Sequence, residues 1–180
     1  MRDPLFEKGL RSDRLGRPGK MFVAGCRKGR FLRSAQEKGF ICVQSGRKVL
    51  NLDFAYVEGN RKMVSLVRVD LDRLFMSFDE LRTLLQELVD EGRLPCMPHL
   101  VVGDVAPILG DGGTISDMLV RPHLWFILPA AVNMSDKGRA GPKRLLDAVY
   151  RGLCHALLGL GADPDAPALL VRGKNPLSPW

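Results

Sequence analysis

Two carboxylates close a run of strand-forming residues. Residues 63–71 read Met-Val-Ser-Leu-Val-Arg-Val-Asp-Leu, and Asp72 follows. Apolar and polar residues alternate, so Val67, Val69 and Leu71 share one face and Arg68, Asp70 and Asp72 the other. Asp70 and Asp72 then stand side by side at a strand end. Like charges at that spacing repel, and a divalent cation between them relieves the repulsion. Carboxylates paired in this way suit Mg²⁺ or Mn²⁺ in phosphoryl transfer, where the ion also binds substrate phosphates. Taken alone, a D-x-D is a weak signal and more often an ordinary surface pair.

Further residues could contribute. His123 lies in the apolar run 119–128 beside Trp125 and Phe126, where it could meet a nucleotide phosphate, act as a ligand, or simply be a hydrogen-bonded structural histidine. Arg121 precedes it as a candidate phosphate contact. Near the end, Arg172 and Lys174 could meet phosphates and Asn175 could orient one, although spacing alone reads these as a turn and a basic tail. Cys96 with His99, and Cys154 with His155, offer zinc-ligand types without a recognised finger spacing; four separated cysteines read better as buried, reduced thiols.

The elements that must position these groups are legible in outline. Residues 1–30 lack periodicity and read as a basic arm or irregular loops. Runs at 40–44 and 49–58 around Ser45-Gly46 predict a hairpin. Ser77 and Glu80 form a capping box ahead of an amphipathic helix bearing Phe78, Leu81, Leu84, Leu85, Leu88 and Val89, which Gly92 ends. Strands are predicted at 99–105 and 119–128, flanking a Gly- and Asp-rich tip at 110–117. After a linker at 138–141, Pro142 opens a second helix that Gly161 closes, and a last strand is predicted at 168–172. The order predicts an α+β protein with a mixed or antiparallel sheet backed by helices.

Charge narrows the function. Residues 1–50 hold 13 Lys/Arg against 4 Asp/Glu, residues 51–136 hold 7 against 13, and residues 137–180 hold 7 against 3. Basic ends therefore flank an acidic middle, a distribution that suits phosphate backbones together with a metal site. No apolar run reaches the roughly 18 residues of a membrane span, and the polar start lacks the apolar stretch of a secretory signal, so a cytoplasmic location without membrane partners is expected. No phosphate-loop motif G-x-x-x-x-G-K-[ST] and no G-x-S-x-G elbow occurs. The histidines are too scattered for the paired ligands of a relaxase-type nickase.

The order of V-D-L-D (69–72), L-P-x-x-P (94–98), the histidine-bearing strand (121–128), L-G-A-D (160–163) and K-N-P-L-x-x-W (174–180) resembles the plasmid replicase (Rep) primases of the archaeo-eukaryotic primase superfamily. The resemblance covers roughly residues 65–180. It implies an RRM-like catalytic sheet that polymerises nucleotides with Mg²⁺ or Mn²⁺. Asp70 and Asp72 would then be the metal-binding acids, and His123 the strand histidine near the incoming nucleotide. Asp104, Asp163 and Asp165 are candidates for a third acid. Residues 1–35 would form a basic arm and residues 36–180 the catalytic domain, as a minimal form or a fragment lacking C-terminal regions. Expected partners are single-stranded DNA template, nucleoside triphosphates and other replication proteins. A non-catalytic DNA- or origin-binding module and a metal-dependent nuclease remain open alternatives.

Overall fold

The computed structural model describes residues 16–26, 32–36, 43–45, 54–110, 113, 115–165, 173–176 and 178. These form an α+β fold in which every strand pairing is antiparallel. The larger sheet is built around one long strand, β7 (Ile115–Asn133). On one side β7 pairs with β4 (Met63–Asp70) and then with the short β5 (Leu74–Phe75); on the other it pairs with β6 (Leu100–Leu109). A smaller sheet has the order β2-β1-β3-β8, from β1 (Leu32–Ala35), β2 (Val43–Ser45), β3 (Tyr56–Val57) and β8 (Gly173–Lys174).

The alternation in β4 divides the core as its sequence predicts. Val67, Val69 and Leu71 join a cluster with Phe126 and with residues of α2 (Phe78–Asp90) and α3 (Ala140–Ala156). Leu66 turns to the opposite face and joins Trp125, Ile127, Val57 and Phe22. Phe22 belongs to α1 (Gly16–Cys26) and meets the Trp125 ring edge-on, with centroids 4.8 Å apart. Part of the stretch expected to be an irregular arm is thus a helix on the second core. Its Phe22, Val23 and Cys26 are buried, and that burial outweighs a segment rich in Gly and Pro.

α2 begins at its predicted cap: Ser77 Oγ accepts from Glu80 N–H at 3.1 Å, and Leu81, Leu85 and Leu88 are buried. α3 starts two residues ahead of the predicted Pro142. The first-turn N–H groups of a helix have no internal partner, so proline is tolerated there. A 3₁₀ turn (Leu158–Leu160) follows, and Gly161 closes it with φ +84°, as a terminating glycine should. The expected hairpin around Ser45-Gly46 is not made by β2 and β3. Instead β2 pairs with β1, and β1 pairs with β3. Residues 46–53 and the predicted strand at 168–172 lie outside the described residues, as does Cys42. Cys26 and Cys154 are buried as expected, whereas Cys96 is exposed. Among the described residues, no helix is long and apolar enough to cross a membrane.

The β6–β7 pairing contains the irregularity on which the site depends. Val102 faces His123 but Asp104 faces Val120, so Arg121 and Pro122 bulge opposite Gly103 alone. Arg121 sits at φ +43°, an uncommon conformation for a side-chain-bearing residue. A Cβ on Gly103 would lie 2.3 Å from Leu119 Cδ1 and 3.3 Å from Pro122 Cβ. Leu119 is buried and cannot swing away. Gly103→Ala is therefore expected to destabilise the protein by about 1–3 kcal/mol, the usual cost of overpacking, as read from the midpoint of urea unfolding.

Candidate functional site

Where β4 and β8 end and the β7 bulge begins, an open cavity of about 660 Å³ is lined mainly by polar side chains, among them Tyr56, Asp70, Asp72, Asp104, Arg121, His123 and Lys174. The pairing of β4 with β7 sets Asp70 directly opposite His123. Asp70 is largely buried, and one carboxylate oxygen lies 3.1 Å from His123 Nε2 while the other lies 3.6 Å from the Arg68 guanidinium. Asp72 is well exposed, and Arg121 Nε lies 3.6 Å from its carboxylate.

The backbone that carries these acids is held by the L-G-A-D segment. Leu71 forms a bridge with Ala162, Asp72 N–H donates to Gly161 O at 2.8 Å, and Asp163 N–H points to Asp70 O at 3.4 Å. Arg73 lines the same cavity; its side chain donates to Gly159 O and lies over the Phe75 ring.

His123 is only 3% exposed and uses both ring nitrogens. Nδ1 accepts the backbone N–H of Lys174 at 2.9 Å, so the proton of the neutral ring is on Nε2 and is donated to Asp70. Burial pushes the His123 pKa down; the Asp70 carboxylate opposes that shift without reversing it. Protonating Nδ1 would also set two N–H groups against each other. The imidazole is accordingly a neutral linker, and it positions Asp70.

Lys174 is buried, and its ammonium contacts Asp104 at 2.9 Å, Arg121 O at 2.8 Å and Val120 O at 3.2 Å. These three acceptors match its three protons. Lys174 thus clamps the β7 bulge and Asp104 rather than presenting a loose cation. Asn175 sits beside the cavity without lining it: its side chain donates to Phe54 O at 2.9 Å and its backbone N–H to Ala55 O at 2.7 Å, which fixes β8 against the segment preceding β3. Arg172 lies outside the described residues. Of the candidate third acids, Asp104 lines the cavity, while Asp163 and Asp165 are not among its lining residues.

No protein-family model, curated protein or solved structure matches the chain.

Tyr56, Arg73 and Gly173 escape a reading of the sequence, whereas Arg68 is placed on the face of Asp70 by the two-residue period. Tyr56, from the other sheet, lines the cavity, and its pKa is raised by burial and then by the charges of Asp104 and Asp70. Arg68 reaches Asp70 from the same face of β4, a placement that the two-residue period does contain. Gly173 lies against Trp125: a Cβ there would stand 2.4 Å from the indole Cζ2, so a bare backbone is what lets β8 approach close enough for Lys174 to reach His123.

The acids form a limited metal-binding set. Among the described residues, no group of three or more His, Cys, Asp or Glu is placed to hold an ion, which also applies to Cys96 with His99 and to Cys154 with His155. The oxygen donors of Asp70 and Asp72 suit a hard cation bound by one or two carboxylates and completed by water and substrate phosphate.

Two outcomes are expected. The lowered His123 pKa means that the unfolded chain takes up a proton near the ordinary value of 6.5 while the folded chain resists it. His123 therefore favours the folded state least at low pH: stability is full above about 6.5 and falls as pH drops below it, by up to about 1.4 kcal/mol per pH unit. His123→Asn should lose this component when urea unfolding is compared at pH 7.5 and pH 5.5. Gly173→Ala should displace β8 from Trp125; hydrogen exchange at the Lys174 amide would rise, and the fluorescence of the buried Trp125 would change.

Proposed function

We propose that this chain is the catalytic domain of a metal-dependent DNA primase/replicase of the plasmid replicase (Rep) type, with an RRM-like core. The observation that supports it is a convergence. His123, 53 residues from Asp70 and 51 from Lys174, bonds to both. The L-G-A-D segment holds the backbone of Leu71 and Asp72 by its own hydrogen bonds. Three of the segments on which the resemblance rests thus line one cavity, and a fourth, L-G-A-D, holds the backbone of one of them. A volume of about 660 Å³ falls within the range for small-molecule sites and suits a nucleotide.

On this reading Asp70 and Asp72 would hold Mg²⁺ or Mn²⁺, with water and substrate phosphate completing the coordination. When bound, the ion would offset triphosphate charge and activate a primer or initiating 3′-hydroxyl. Arg73 and Arg121 are both exposed at the cavity, where they would meet phosphate oxygens. His123 keeps the Asp70 carboxylate oriented, and Tyr56 faces the substrate. The template would be single-stranded DNA.

One observation favours a second reading, a DNA-binding module without catalysis: each carboxylate of the cavity already lies beside a protein cation, Asp70 with Arg68, Asp72 with Arg121, and Asp104 with Lys174. Primer synthesis on single-stranded DNA with labelled nucleotides and Mg²⁺ or Mn²⁺ separates the two. Wild type should give short products, and exposed Asp72→Asn should lower incorporation about 100-fold or more, a loss of roughly 2.7 kcal/mol in transition-state stabilisation, without altering the melting temperature. Asp70→Asn should also lower incorporation, and it should lower the melting temperature as well, because the buried Arg68 loses its carboxylate partner. Salt-dependent DNA binding with no product from any protein would select the binding module, and degradation of the DNA would select a nuclease.

A further inference from the structure

Away from the catalytic cavity, the turn between β3 and β4 holds a second charged constellation. Glu58 is 5% exposed, and each of its carboxylate oxygens takes one guanidinium: Arg33 Nη1 at 2.9 Å on Oε2 and Arg61 Nη2 at 3.3 Å on Oε1. The two arginines are far from buried, at 37% and 56% exposure, and Lys62 beside them is exposed. Three cations around one carboxylate leave a local excess of positive charge. They line a cavity of about 180 Å³ against Gly59 and Asn60.

The turn itself is fixed. Glu58 N–H donates to Arg33 O at 2.9 Å, Asn60 N–H donates to Gly25 O at 3.1 Å, and Asn60 Oδ1 accepts the N–H groups of Lys62 and Met63 at 3.0 and 3.1 Å. A buried carboxylate has to be paired, and here the pairing also presets its partners. Each guanidinium carries five N–H donors in a rigid fork suited to phosphate, more than one carboxylate oxygen can take.

We propose that Arg33, Arg61 and Lys62, organised by Glu58, form a phosphate-binding subsite for the backbone of single-stranded nucleic acid, an inference that rests on the proposed polymerase reading for its choice of ligand. The subsite lies at the opposite end of β4 from Asp70, roughly 25 Å along the strand at about 3.3 Å per residue. It therefore meets a strand several nucleotides away from the reacting end. The far edge of the cavity is nearer: Tyr56, which lines it, stands only two residues before Glu58.

The test is the salt dependence of binding by the full chain to an oligothymidylate of about 12 nucleotides, a length within the usual single-strand site size. Arg61→Ala/Lys62→Ala removes two exposed cations and leaves Glu58 its Arg33 partner. The slope of log Kd against log salt should fall in magnitude by about 1.4, at roughly 0.7 for each single-strand phosphate that the variant no longer neutralises. Arg61→Lys/Lys62→Arg should keep the wild-type slope. An unchanged slope in the double alanine variant would overturn the subsite. Absence of nucleotide incorporation by wild type, with the slope difference intact, would overturn the polymerase reading and leave the subsite standing; incorporation with an unchanged slope would do the reverse.

Discussion

The imidazole of His123 is the point at which distant parts of the chain are joined. One ring nitrogen receives the Lys174 amide, and the other donates to Asp70. Among the described residues, β8 pairs with β3 at Gly173 and Lys174. Its position comes from that imidazole, from the close approach of Gly173 to Trp125, and from the Asn175 bonds to Phe54 and Ala55. Asp70 in turn holds its orientation because His123 is buried and neutral. A charged imidazole would forfeit the Lys174 bond and require hydration that its surroundings do not offer.

The two faces of the large sheet have different tasks. The face toward α2 and α3 is apolar through Val67, Val69, Leu71 and Phe126. The opposite face begins as apolar core at Leu66, Trp125 and Ile127 and becomes polar at Arg68, Asp70 and His123. Burying Arg68 and His123 costs desolvation, visible in the lowered pKa of both. Asp70 offsets that cost for the two together, so fold and site share one interaction and cannot be varied independently.

Local signals are readable in the sequence and long-range ones are not. The faces of β4, the Ser77 cap, the stripe of α2 and the αL glycine at 161 follow from nearest-neighbour chemistry, and all are present. α1 escapes such a reading because Gly16, Pro18, Gly19 and Gly25 suppress helical propensity, whereas the deciding factor is burial of Phe22 against Trp125, a contact across 103 positions. The pairing of β2 with β1 escapes it for a similar reason: a Ser-Gly pair marks a bend without specifying which strands it joins. Asp70, Asp72, Arg121, His123 and Lys174 are readable as candidates by residue type, and they do line one cavity. Asn175 lies next to it in a supporting position. Tyr56 carries no local signal, since its place depends on a second sheet folding across the first.

Charge pairing within the cavity constrains the ligand. Asp72 with Arg121 and Asp104 with Lys174 are contacts of opposite sign, with both carboxylates well exposed to solvent. A purely anionic ligand would have to draw the arginine from its acid and leave a carboxylate facing the new anion. A bare cation would leave a guanidinium in the same state. A ligand carrying both signs avoids either penalty, because its cation can replace the guanidinium at the acid while its anion replaces the acid at the guanidinium. A metal–triphosphate complex is such a ligand, and the exchange would keep each group compensated throughout. The Lys174–Asp104 pair responds differently, since the two carbonyls on Lys174 keep that ammonium in place if Asp104 swings away. Release of Asp104 would leave the Lys174 ammonium two of its three acceptors, whereas Asp70 is held by His123 and Arg68 together.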